Sequence, residues 1–311
     1  MTILERTLVD TLLDWGIDVV LWFQQASPGL DGFFKFFTFL GDEEFFLILL
    51  PFVYWSVNRA LGVRLIVLTL FSSLVNATAK TIGGQPRPFA YDDRVVALVD
   101  AGGHGLPSGH TQSSIVIWGF LAVEARRRWF WVLAIVLMLG TSLSRIYLGV
   151  HFPTDIIGGA VLGIALLILW SKYGRRAERW FCSLAIRRQL ALTAIAPLLV
   201  MAIMPSEDVV TAAATFLGLG TGIILERRYL HFSTDGTLPT RGSRFLLGGL
   251  ILVGLWLGLR TAFSEQDPEL LLRLIRYTLV GLWGSLGAPW LFLKVGLASQ
   301  EASAGGEPPQ H

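Results

Sequence analysis

Residues 129–172 read WFWVLAIVLMLGTSLSRIYLGVHFPTDIIGGAVLGIALLILWSK, two long apolar stretches joined by a short polar connection. About 20 apolar residues in a helix cross the roughly 30 Å hydrocarbon core of a bilayer. A segment of this length satisfies its own backbone in lipid only as a helix. The stretch therefore predicts two transmembrane helices, and their connection brings Arg145, His151 and Asp155 together at one membrane surface.

The composition extends this prediction to the whole chain. Of the 311 residues, 53% are hydrophobic and only 15% are charged, with a mean hydropathy of +0.59. That is too little charge to cover a soluble domain. We predict an all-α fold, a polytopic transmembrane helical bundle. About nine spans are expected, at 40–58, 61–82, 109–125, 129–148, 153–172, 188–205, 208–225, 245–262 and 272–293.

The first residues differ from the rest. Asp10, Asp14 and Asp18 recur every four positions, which places them on one face of an amphipathic helix. Such a helix is expected to lie in the membrane interface, although a loosely packed leader is the alternative. The expected regions are an interfacial segment (1–39), a catalytic transmembrane core (40–175), additional transmembrane helices (176–297) and a polar, disordered tail (298–311).

Cationic residues fall mainly in alternate connections between the spans, which identifies the cytoplasmic side. The cationic connections are 59–64, 126–128, 172–188 and 227–244, and the acidic connections on the opposite side are 205–208 and 264–267. Arg273 and Arg276 count against this arrangement. We expect an integral protein of the plasma (inner) membrane, with the polar segments at 80–110 and 145–155 on the non-cytoplasmic face. The single cysteine, Cys182, excludes an internal disulfide.

Three cations lie at the ends of apolar stretches on that face: Lys80, Arg87 and Arg145. Arginine has a planar fork that matches phosphate oxygens, and lysine is a mobile point charge. Each of them by itself is more often a residue that snorkels from a helix end into water. Together they favour a phosphoryl-binding site, because ionisable groups beside membrane spans are costly without a partner or a ligand.

Pro107-Ser108-Gly109-His110 precedes an apolar helix. Ser108 suits the N-cap, and Gly109 leaves the backbone N–H approachable, so a phosphate there would meet backbone donors and the positive end of the helix dipole. His110 would be positioned to protonate a leaving oxygen. For this tetrapeptide alone, a capped helix start with a surface histidine explains the pattern equally well.

His151 and Asp155 are spaced by four residues at the start of the next span, where Pro153 is tolerated in the first turn. The spacing can bring the carboxylate beneath the imidazole. A carboxylate that accepts the proton of one ring nitrogen fixes the tautomer and makes the other nitrogen more nucleophilic. The alternative role of Asp155 is a plain helix cap.

These three segments resemble the signature motifs of the type 2 phosphatidic acid phosphatase (PAP2) superfamily, KxxxxxxRP, PSGH and SRxxxxxHxxxD. All eleven specified residues are present in order between Lys80 and Asp155. The resemblance implies that His151 attacks phosphorus to form a phosphohistidine, that Asp155 orients it and that His110 protonates the leaving group. The residues implied to hold the phosphoryl oxygens are Lys80, Arg87, Ser108, Gly109 and Arg145. No metal and no other cofactor is implied.

The resemblance implies a phosphatase for a membrane lipid phosphate, of the phosphatidate, sphingoid phosphate or polyprenyl diphosphate type. The order of helices and motifs is similar to that of the sphingosine-1-phosphate phosphatase and glucose-6-phosphatase branches. The expected partners are this substrate and the bilayer, with no nucleic acid, and the oligomeric state is not indicated. Three alternatives stay open: a sugar-phosphate phosphatase or phosphotransferase with the same site, a vanadium haloperoxidase-like enzyme, and a non-catalytic transporter.

Overall fold

The computed structural model describes residues 3–263 and 269–301. Within these ranges the regular structure is helical, and the one β-type pairing is an isolated bridge between Phe232 and Gln300. The prediction of an all-α fold is confirmed. The helices are α1 (Ile3–Gln24), α2 (Asp31–Phe39), α3 (Glu43–Phe52), α4 (Arg59–Gly83), α5 (Pro88–Tyr91), α6 (Gly109–Ala125), α7 (Arg128–Tyr147), α8 (Pro153–Ser183), α9 (Ile186–Ile203), α10 (Glu207–Tyr229), α11 (Leu238–Ala262), α12 (Glu269–Leu282) and α13 (Ala288–Lys294).

Six of the nine predicted spans are continuous helices that are long and apolar enough to cross a membrane, within the described residues. They are α4, which with α5 is counted as Arg59–Tyr91, and α7 to α11. The other three differ in length or in continuity. Helix α6 has 17 residues, and the π-helical turns Val53–Val57 and Trp283–Gly287 follow α3 and α12. Pro51 lacks an N–H for the α-helical ladder just before the first of these turns, a feature that hydropathy does not register.

The chain divides into two compact units. The first comprises the described residues within Met1–Leu47 and Leu68–Ser183, and the second those within Ile48–Val67 and Leu184–His311. All three motif segments belong to the first unit.

In the first unit, α6 packs against both α7 and α8. Gly159 and Gly163, one turn apart on α8, allow the close approach to α6. A Cβ atom at Gly159 would meet the carbonyl oxygen of Ser108, and one at Gly163 would lie 3.0 Å from the carbonyl oxygen of Gln112. The start of α6, which holds part of the PSGH motif, is therefore seated directly on α8.

The N-terminal helices also belong to this unit. Leu13, Ile17 and Val20 of α1 are buried together with Ile146 and Phe152, whereas the three aspartates spaced by four are exposed. On α2, the ring of Phe34 stacks on Tyr147 with 4.2 Å between centroids. The amphipathic prediction for this segment thus corresponds to a helix with one face in the core of the unit.

In the second unit, Glu226 is fully buried and forms an ion pair with Arg59 at 2.9 Å. The same carboxylate accepts hydrogen bonds from the backbone N–H of Phe232 at 3.0 Å and from the hydroxyl of Tyr54 at 3.3 Å. These contacts satisfy a charge that would otherwise be costly to bury.

The predicted acidic connection at 264–267 lies outside the described residues, and so does the part of the predicted tail at 302–311. Disorder is predicted for the tail from residue 298. Within its described part, residues 298–301, Ser233 N donates to Ser299 O at 2.7 Å and Glu301 N donates to His231 O at 2.6 Å. A polar composition does not prevent a segment from being held through its backbone.

Candidate active site

The three motif segments meet at a cavity of about 240 Å³ in the first unit. Its lining includes six of the eight predicted site residues, contributed by the end of α4, the loop after it, the start of α6, the end of α7 and the connection to α8. The described lining residues are Thr38, Asp42, Lys80, Arg87, Val99, Asp100, Ala101, Gly109, His110, Arg145 and His151. Asp155 and Ser108 lie behind this layer and contact it.

The connection between α7 and α8 positions His151. Gly149 takes a φ of +75°, and the backbone N–H groups of Val150 and His151 both donate to the carbonyl oxygen of Arg145 at 3.2 Å. This turn folds the chain back on the end of α7, because a positive φ is readily available only to glycine. His151 is 2% exposed, and its ring faces the cavity.

Asp155 both caps the start of α8 and contacts the His151 ring. Its Oδ2 atom accepts a hydrogen bond from the backbone N–H of Phe152 at 3.0 Å, which is the reach-back contact of a capping box. The same atom lies 3.1 Å from Nδ1 of His151. Gln85 donates to the other oxygen, Oδ1, at 2.8 Å. The carboxylate is therefore held at both oxygens, and its contact with His151 leaves Nε2 as the nitrogen directed to the cavity.

Arg87 reaches this second nitrogen. Its Nη1 atom lies 3.2 Å from Nε2 of His151 and donates to the carbonyl oxygen of Val150 at 2.9 Å. Its Nη2 atom donates to the carbonyl oxygen of Gly102 at 2.6 Å. Burial lowers the pKa of His151 well below its usual value, and the charges of Arg145 and Arg87 lower this pKa further. The imidazole is therefore neutral at neutral pH, as a nucleophile must be.

Arg145 is a second buried guanidinium at the cavity. Its Nη1 atom donates to the hydroxyl of Thr38, and its Nε–H has no hydrogen-bond partner among the described residues. A buried cation is costly unless a charge or hydrogen-bond acceptor compensates it. Lys80, in the last turn of α4, lines the same cavity, so an anion there would meet three cations.

At the PSGH motif, the structure confirms Ser108 as the N-cap of α6. Its hydroxyl accepts from the N–H of Thr111 at 3.4 Å and is buried, so it serves the helix cap. Gly109 lies on the cavity, and a Cβ atom there would be 3.0 Å from the side-chain oxygen of Asn76. His110 is not a surface histidine, because its ring lies on the cavity with Nε2 at 2.8 Å from Oδ1 of Asp42.

A buried amide network fixes this helix start against α4. The side chain of Asn76 donates to that of Gln112 at 2.9 Å, and Gln112 donates to the hydroxyl of Ser72 at 2.8 Å. Both amides lie within apolar stretches of the sequence. Each is held because an unsatisfied amide in such surroundings would cost stability.

Several contacting residues were not predicted from the sequence. Thr38 lies in the last turn of α2, Asp42 lies in the connection from α2 to α3, and Gln85 occupies an unspecified position within the first motif. The one available signal was the polar break at Gly41-Asp42 in a phenylalanine-rich stretch. It did not indicate which residue Asp42 would contact.

Comparison with known proteins agrees with the motifs. The model of the PAP2 superfamily matches residues 61–179, and that of the PAP2 superfamily phosphatase, transmembrane extension, matches residues 210–300. Human sphingosine-1-phosphate phosphatase 2 is 29% identical over 147 residues, which are 44% of this chain and 36% of the relative. Lipid phosphate phosphatase delta of Arabidopsis thaliana is 27% identical over 185 residues, 54% of this chain and 44% of the relative.

The chain thus spans less than half the length of these two relatives. Among solved structures, that of Aquifex aeolicus LpxE superimposes with a TM-score of 0.46 and 28% identity, over 50% of this chain and 94% of the other. The two family models, together with the eleven motif residues, six of which line one cavity, lead to one conclusion. The chain is an integral membrane protein that belongs to the PAP2 superfamily.

Proposed function

We propose that this chain is a membrane phosphatase that hydrolyses a lipid phosphate through a phosphohistidine at His151. One observation carries the proposal. A buried, neutral imidazole has Nδ1 against the Asp155 carboxylate and Nε2 beside the Arg87 guanidinium, at a cavity that two more cations line. A neutral nucleophile aimed at an anion-binding cavity is what phosphoryl transfer to histidine requires.

In the first step, the lone pair of His151 Nε2 forms a bond to phosphorus while the bond from phosphorus to the leaving oxygen breaks. The electron pair of the broken bond stays on that oxygen, which takes a proton from His110. In the second step, water attacks the phosphohistidine, passes a proton to His110 and releases phosphate, and the electron pair of the N–P bond returns to Nε2. Asp155 stabilises the positive charge on the imidazole in between.

Cations and backbone donors would stabilise the transition state. Lys80, Arg87 and Arg145 surround the cavity, and the N-terminus of α6 adds N–H groups and the positive end of its dipole. Together they would compensate the charge on the phosphoryl oxygens, a task that Mg²⁺ has in many phosphotransferases. Ser108 would contribute by fixing the cap on which Gly109 and His110 depend.

The substrate class follows from what lies around the cavity. Helix α2 carries Thr38 at the cavity and exposes Phe33 and Phe36 on its other side, as a helix in the membrane interface would. A lipid could present its phosphate there without leaving the bilayer. The sphingosine-1-phosphate phosphatase and lipid phosphate phosphatase relatives agree with a lipid phosphate, and a glucose-6-phosphatase 3 relative makes a sugar phosphate the alternative to test. The location we propose is the plasma (inner) membrane, with the cavity on the non-cytoplasmic face.

Phosphate release by the purified protein in lipid nanodiscs tests the proposal. The panel contains phosphatidate, phosphatidylglycerol phosphate, a sphingoid phosphate, undecaprenyl diphosphate and glucose 6-phosphate, each with and without EDTA. We expect at least one lipid phosphate to have the highest kcat/KM. A higher kcat/KM for glucose 6-phosphate would refute the substrate class, and bromide oxidation with vanadate but no phosphate release would refute the phosphatase.

A further inference from the structure

The connection between α2 and α3 contacts the His110 ring in two ways. Oδ1 of Asp42 lies 2.8 Å from Nε2 of His110. Gly41 lies against the ring itself, because a Cβ atom at this position would be 2.6 Å from Cδ2 and 3.1 Å from Cγ of His110. The backbone of the connection is fixed in turn, with Gly41 N donating to Thr38 O at 2.8 Å and Asp42 N donating to Phe39 O at 3.1 Å.

The end of α2, directly before this connection, binds the neighbouring cation. The hydroxyl of Thr38 accepts a hydrogen bond from Nη1 of Arg145. Five residues of chain, 38–42, therefore reach both the proposed acid and one of the proposed phosphate ligands. This segment lies outside all three motifs of the superfamily.

The charge of Asp42 is informative because of its surroundings. Three cations line the cavity: Lys80 at the end of α4, Arg87 in the loop after it and Arg145 at the end of α7. His151 lines it from the connection between α7 and α8, and Asp100 adds a carboxylate from the loop before α6. Three cations disfavour a protonated imidazole at His110. A carboxylate would also repel a phosphate, so Asp42 does not fit the role of a phosphate ligand.

We propose that Asp42 is the positioning residue of His110, whose ring it orients and whose protonated form it stabilises for proton transfer to the leaving oxygen. The inference deepens the proposed function and rests on it. Because Asp42 accepts from Nε2, the nitrogen that donates to the leaving group is Nδ1. The site then holds two carboxylate–histidine pairs with opposite tasks, Asp155 with the nucleophile and Asp42 with the acid.

The test compares two substrates that differ in their need for an acid: p-nitrophenyl phosphate, whose leaving group hardly needs a proton, and an alkyl phosphate. General acid catalysis is worth roughly 10²- to 10⁴-fold. We therefore expect Asp42→Asn to lower kcat on the alkyl phosphate by about 10- to 100-fold and on p-nitrophenyl phosphate by less than about threefold. Glu44→Gln removes the same charge from an exposed site two residues away and is the matched control, expected to be unchanged.

The double variant His110→Ala/Asp42→Asn isolates the coupling. If Asp42 acts through His110, Asp42→Asn should change kcat on the alkyl phosphate by less than about twofold once His110 is removed, because residues that act as a unit are not additive. Equal losses on both substrates, or full additivity in the double variant, would assign Asp42 a structural role and overturn the inference.

Different results would contradict the proposed acid role of His110 and the proposed positioning role of Asp42. If His110→Ala affects both substrates equally, the acid role in the proposed function is wrong. If His110→Ala discriminates between the substrates and Asp42→Asn does not, only the role of Asp42 is wrong. Folding of each variant is measured by size-exclusion chromatography and thermal unfolding, with Asp42→Ser as a second variant. Failure of both variants to fold would also overturn the inference, since it would make Asp42 a structural residue.

Discussion

At the scale of single residues, the two histidines have different tasks in the proposed reaction, so their alanine variants should lose different steps of it. His151→Ala removes the nucleophile, so we expect kcat to fall by more than about 10⁴-fold and no phosphoenzyme to form. His110→Ala should still form the phosphoenzyme from p-nitrophenyl phosphate. Quenching in alkaline SDS with ³²P-labelled substrate measures this, because the N–P bond of a phosphohistidine survives alkali and hydrolyses in acid. A labelled, active His151→Ala protein would exclude His151 as nucleophile.

Besides burial, the charge of Arg87 lowers the pKa of His151, which gives a second prediction for a single residue. Burial, Arg145 and Arg87 lower this pKa, with smaller contributions from Lys80 and His110. Protonated His151 cannot attack, so activity should be lost only when the pH falls through this lowered pKa, well below the usual 6.5. In Arg87→Gln one cation is lost and the pKa of His151 rises, which should move the acid limb of kcat/KM to higher pH.

The pH profile of kcat/KM on p-nitrophenyl phosphate measures this shift. Arg94→Gln is the control, because Arg94 is an exposed loop cation paired with Asp92 at 2.7 Å. Its acid limb should coincide with that of the unchanged protein. An unshifted limb in Arg87→Gln would show that another group controls the acid side.

At the scale of helices, the contact of α6 with α8 links packing to the site. A methyl group at Gly159 would meet the carbonyl of Ser108, the residue that caps α6. We expect Gly159→Ala to destabilise the protein by about 1–3 kcal/mol, as overpacking does, and to lower kcat by displacing Gly109 and His110. Gly254→Ala on α11 is the matched control, since no atom lies within 4 Å of its added Cβ. Equal melting temperatures for the two variants would contradict this.

At the scale of the whole molecule, the second unit has its own buried charge pair to test. Arg59→Met would leave the Glu226 carboxylate buried without its cation. Such a loss typically costs about 3–5 kcal/mol. The double variant Arg59→Met/Glu226→Gln removes both charges and should recover much of the stability. The melting temperature of each variant, monitored by size-exclusion chromatography after heating, measures these changes in stability. A double variant with a melting temperature no higher than that of Arg59→Met would contradict the explanation.

Sidedness is the second prediction at this scale. Helix α8 begins beside His151 and has exposed cationic residues at its other end, including Arg176. In a Cys182→Ser background, we expect Asp93→Cys to react with a membrane-impermeant maleimide in intact cells, because Asp93 is exposed in the loop between α5 and α6 that also lines the cavity. Arg176→Cys should react only after permeabilisation, because cationic connections face the cytoplasm. The reverse pattern would invert the proposed topology.

The sequence by itself determined those features that depend on local patterns, namely the helical membrane class and contacts between residues close in the chain. Hydropathy established the helical membrane class, and the spacing of four between His151 and Asp155 predicted a contact that the fold forms at 3.1 Å. Hydropathy did not register the π-helical turns in place of continuous helices, and nothing local encoded the partners of residues far apart in the chain. Asp42 meets His110 across 68 positions and Gln85 meets Asp155 across 70. Only the tertiary structure decided these pairs, because they depend on which helices pack together and not on the periodicity of any one of them.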